Sequence, residues 1–69
     1  MEKEKKCISV LYRMINSNIA VGYSNGVLEL YDNTMKNSFL TITLFDNEII
    51  DIYQDKANID KLMVEITAL

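Results

Sequence analysis

Five carboxylates, Asp46, Glu48, Asp51, Asp55 and Asp60, gather in the second half of the chain. Clustered carboxylates could ligate calcium, but a calcium loop needs closely spaced oxygen ligands and a mid-loop Gly. Ile49 and Ile50 interrupt this run and it contains no Gly. Two carboxylates could also act as acid and base on a glycoside. A chain of 69 residues leaves little room for a cleft around a sugar. Solvated turns and one strand face account for these residues. Ser9, Ser24 and Thr41 have no imidazole to activate them, because the chain has no His. No His and a single Cys exclude the usual zinc sites, Ser-His-Asp and Cys-His chemistry, and an internal disulfide. Cys7 follows Lys5 and Lys6 and is read as a packed strand-entry thiol. The chain is therefore read as no enzyme, with no catalytic, cofactor-binding or metal-ligating residue and no small-molecule substrate.

What remains is recognition. Tyr12, Tyr23, Tyr31 and Tyr53 are the candidate interaction surface, since Tyr is enriched where partners bind. β-propensity explains the same residues without a partner, because Tyr suits a half-buried strand. Seven basic and ten acidic side chains give a formal charge of −3. Residues 1–6 hold three Lys and two Glu, so residues 7–69 carry −4. An acidic balance opposes nucleic-acid binding, which needs basic groups facing phosphates. No apolar run approaches the ~20 residues of a membrane span. Residues 1–6 read as a flexible charged tail, because no signal-peptide apolar core follows them. The lone thiol suits a reducing, cytoplasmic setting.

The elements that position these side chains must be short. The chain has no Pro and only Gly22 and Gly26, so turns are read from Asn, Asp and Ser. Such residues cluster at 16–18, 24–26, 32–34, 46–48 and 55–58, a rhythm of short antiparallel strands. Asn25 and Gly26 predict a structural turn of two residues, both at positive φ. That register pairs Tyr23 with Leu28 and Val21 with Leu30. It places Ile19, Val21, Tyr23, Leu28 and Leu30 on one face, and Ala20, Gly22, Glu29 and Tyr31 on the other. A second hairpin is expected between residues 38–45 and 49–54 around a three-residue loop, pairing Leu44 with Ile50 and Ile42 with Ile52. The first strand is expected over 7–15, with Ile8, Val10, Tyr12 and Met14 on one side. In the last segment, Ile59, Leu62, Met63, Ile66 and Leu69 follow helical spacing. Leu62, Val64 and Ile66 also alternate as a strand would. Lys61, Leu62, Met63 and Glu65 are good helix formers and tilt residues 58–69 to helix.

Residues 19–32, IAVGYSNGVLELYD, resemble the centre of a WD-repeat β-propeller blade. Gly22 and Gly26 fall at the family's two glycine positions, Leu28 and Leu30 on its returning strand, and Tyr31 and Asp32 where Trp-Asp stands. Residues 7–15 resemble the innermost part of the blade's preceding strand, 38–45 its outermost strand, and 49–54 the first strand of a following blade. Asn25 stands at the usual turn Asp and Val21 at the usual Ser or Thr, while the Gly-His pair has no counterpart. A blade takes about 40–45 residues, so the resemblance covers about one and a half blades. It implies a scaffold that binds proteins through loops and sheet edges.

These readings combine into a mainly β fold, an antiparallel meander of about four strands. Residues 7–69 form a single small β-rich domain or a propeller fragment. The alternative is a small α+β domain whose sheet is covered by the C-terminal helix. The expected function is a non-catalytic protein-protein interaction module, scaffold-like, with a protein partner or self-association. The alternative is a small acidic cytosolic inhibitor or regulator occupying a basic site on a larger protein. About ten apolar side chains need cover: Ile19, Val21, Tyr23, Leu28, Leu30, Leu40, Ile42, Leu44, Ile50 and Ile52. Leaving each wet forfeits about 1.5–3 kcal/mol.

Overall fold

Asn, Asp, Ser and Gly end the strands. The computed structural model describes residues 7–44 and 46–67. Its strands are β1 (Ile8–Arg13), β2 (Ile19–Tyr23), β3 (Val27–Tyr31), β4 (Ser38–Thr43), β5 (Ile49–Gln54) and β6 (Leu62–Ile66). Strands β1 to β4 form one antiparallel sheet in chain order, and β5 and β6 form a second sheet. The fold is mainly β, as the turn spacing predicts. The expected tail over residues 1–6 lies outside the described residues.

The first two connections share one design. The Met14 N–H donates to Asn18 O at 2.7 Å, closing a three-residue loop whose last member, Ser17, has φ 74°. The Gly26 N–H donates to Tyr23 O at 3.1 Å, and Gly26 itself has φ 86°. A three-residue loop ending in a left-handed residue matches the twist of the strands it joins. Asx-type turns close the longer loops. Asp32 Oδ1 accepts from the Thr34 N–H and hydroxyl, and Asp55 Oδ1 and Asn58 Oδ1 accept from the N–H groups of Ala57 and Asp60.

The loop at Gly26 corrects the expected register. Only Gly26 of the Asn25-Gly26 pair has positive φ, so the two-residue turn does not form. Ser24 joins the loop, and Gly22 pairs with Leu28, Val21 with Glu29 and Ala20 with Leu30. This shift of one residue moves every β3 side chain to the other face. One face, which we call the outer, then carries Ile19, Val21, Tyr23, Val27, Glu29 and Tyr31. The inner face carries Ala20, Gly22, Leu28 and Leu30. A bulge at Ser9 also sends Ile8 to the outer face opposite Tyr23, away from Val10 and Tyr12.

Two further expectations are corrected. Strand β4 does not pair with β5; it ends the first sheet, and the chain crosses to lay β5 against β1 and β2. Extending the sheet would have left its inner face open, whereas stacking buries Ile49 and Ile52 with Ala20 and Leu28. The C-terminal segment is also no helix between residues 58 and 67, since residues 62–66 form β6. Strand β6 pairs Ile52 with Val64 and Gln54 with Leu62, giving β5 its hydrogen-bonded partner. A lone short helix is marginal in water, and Val64 and Ile66 are β-branched, so the strand alternation prevails over the helical spacing.

The core is two clusters, one on each face of the first sheet. Outside lie Ile19, Val21, Tyr23 and Val27 with Tyr31 against them. Inside, Ala20, Leu28, Ile49 and Ile52 form the centre, flanked by Val10, Tyr12, Met14, Leu62, Val64 and Ile66 among others. At Gly22 the two sheets approach closely. A Cβ built there would lie 2.6 Å from Ile49 Cγ2 and 3.2 Å from Ile52 Cδ1. Beside it the Ser9 hydroxyl reaches Ile49 O at 2.6 Å, with Gly22 O at 3.2 Å.

Candidate interaction site

The four tyrosines do not form one surface. Tyr23 is buried on the outer face and Tyr31 is half-buried beside it, and both hydroxyls donate to Glu29 Oε1 at 2.8 Å. The Thr41 hydroxyl donates to Glu29 Oε2 at 2.9 Å from β4. Glu29 is only 3 % exposed, so this carboxylate binds three strands together through hydroxyl donors. Burial pushes the Tyr23 phenol well above its ordinary value, and the hydrogen bond to Glu29 adds to the shift. Tyr12 lies on the inner face, with its hydroxyl 3.4 Å from Gln54 Oε1. Gln54 is a second polar staple. Its Oε1 accepts from the Ile15 N–H at 2.6 Å, and its Nε2 donates to Ile59 O at 2.7 Å. Tyr53 alone of the four is exposed, on β5, with its hydroxyl 3.5 Å from Glu65 Oε1 of β6.

Asn25 and Gly26 do sit in a turn, one residue longer than expected. Asp32, at the end of the segment with blade-like spacing, begins the β3–β4 loop. Its carboxyl is held below the usual range, first by the Thr34 hydroxyl. Cys7 is a free, exposed thiol. Among the described residues, no three of the Cys, Asp and Glu side chains converge where they could hold a metal ion. No helix of the described residues is long and apolar enough to cross a membrane.

The feature that stands open is the edge at β4. All six residues of Ser38–Thr43 are exposed. They include Phe39 at 57 %, Leu40 at 40 % and Ile42 at 37 % exposure. The register Leu28 to Ile42 and Leu30 to Leu40 sets Leu40 and Ile42 on the inner face. Strand β5 packs on β1 and β2, leaving these two uncovered. Sheet edges are normally guarded by charge, proline, bulging or cover. Strands β1, β5 and β6 carry Arg13, Asp51 and Glu65 respectively, whereas β4 carries no charged residue and its one guard is a bulge at Phe39, where its register against β3 shifts. Reasoning from the sequence missed this edge because it paired β4 with β5. Its signal was present nonetheless: none of residues 37–45 is charged or Pro. Glu29 was missed too, although a Glu between Leu28 and Leu30 in a buried strand signals a satisfied carboxylate.

No protein-family model, curated protein or solved structure matches this chain.

Proposed function

We propose that this chain is a non-catalytic protein-protein interaction module that presents the β4 edge to an extended segment of a partner. The observation that carries this reading is an outermost strand that is exposed at every position, free of charge, and presents Phe39, Leu40 and Ile42. An extended peptide gains main-chain hydrogen bonds along such an edge, and the side chains on its two faces supply selectivity. The strand arrangement supports a scaffold role of the WD-repeat kind. Four strands follow one another across a sheet, β5 opens a second sheet against β1 and β2, and Tyr31 and Asp32 close β3. A free exposed thiol fits a reducing cytoplasmic setting.

The test is a selection of short extended peptides against the full chain, repeated with Thr43→Pro. Proline at this edge removes an outward N–H with little cost to the inner ladder. The reading expects peptides that bind the native chain and lose affinity for the variant. Peptides that bind both equally, or no peptides at all, would remove β4 as the binding surface.

A further inference from the structure

We draw no further inference here: the strongest candidate, the uncharged, exposed edge of the first sheet at β4 with Phe39, Leu40 and Ile42, belongs to the site already described, and nothing in the structure shows what covers it.

Discussion

Glu29 shows how much one side chain governs here. Its carboxylate is buried and takes hydroxyl donors from Tyr23, Tyr31 and Thr41. Tyr23→Phe deletes one donor to a buried charge and is expected to cost about 1–3 kcal/mol, read from the urea midpoint. Tyr23 also makes stability depend on alkaline pH. Its phenol holds its proton more tightly in the fold than in the unfolded chain, where it titrates near 10. The stabilisation is complete below that value. As pH rises past about 10 the unfolded chain loses the proton first, and stability falls. Tyr23→Phe should flatten this alkaline decline; an unchanged slope would place the effect elsewhere. Ser17 bears the opposite kind of cost, a non-Gly residue at φ 74°. Ser17→Gly is expected to stabilise by about 1 kcal/mol in thermal melts. At this scale the sequence was legible where a residue type admits one geometry, as with Gly26. It was illegible where partners come from other strands. Nothing local in residues 23, 29, 31 and 41 announces that they meet.

At the scale of elements, strand existence was legible and strand partnership was not. Turn residues recur at regular distances, and they bound β1 to β5 within a few positions of expectation. Pairing depends on which apolar faces need cover, a property of the assembled sheet. The β2–β3 register failed because a two-residue and a three-residue loop both use Gly26 well, and only the burial of Glu29, Leu28 and Leu30 decides between them. Residues 58–69 carried both periodicities, and β5's need for a hydrogen-bonded partner tipped residues 62–66 to strand. The joint between the sheets is the most sensitive element-level feature. Gly22→Ala would drive a Cβ into Ile49, which is itself fully buried, and should cost about 1–3 kcal/mol. Ile49→Ala removes the obstructing Cγ2 and should cost about 2–5 kcal/mol alone. The double variant is expected to cost less than the two single effects together, because the 2.6 Å contact with Cγ2 is gone and only the Ile49 Cβ at 3.0 Å and Ile52 Cδ1 at 3.2 Å remain close. Strict additivity in urea denaturation would show that the sheets do not meet at Gly22.

For the whole molecule, stability depends on a second sheet of only two strands. Leu62, Val64 and Ile66 flank the inner cluster, and the Thr67 N–H closes the sheet end by donating to Glu48 O at 2.9 Å. A chain ending at Asp55 loses all of these and leaves β5 without its ladder. It is expected to aggregate or to lose its near-ultraviolet dichroism. A folded, soluble 1–55 chain with the native urea midpoint would show that β6 is dispensable. The expectation that the C-terminal segment covers the core held in purpose and failed in form, since a strand supplies the cover.

The β2–β3 turn also has a chemical consequence over time. An Asn followed by Gly deamidates when the Gly nitrogen attacks the Asn side-chain carbonyl, expelling ammonia and forming a succinimide that water opens to Asp or isoaspartate. Here that nitrogen is the Gly26 N–H held on Tyr23 O. The folded turn therefore restrains its own ageing, and each excursion to the unfolded chain releases the restraint. Mass spectrometry of stored samples should find Asn25 converted faster in variants of lower stability, in proportion to the fraction unfolded. The Asn25-Gly26 pair would then serve as an internal clock of time spent out of the native state.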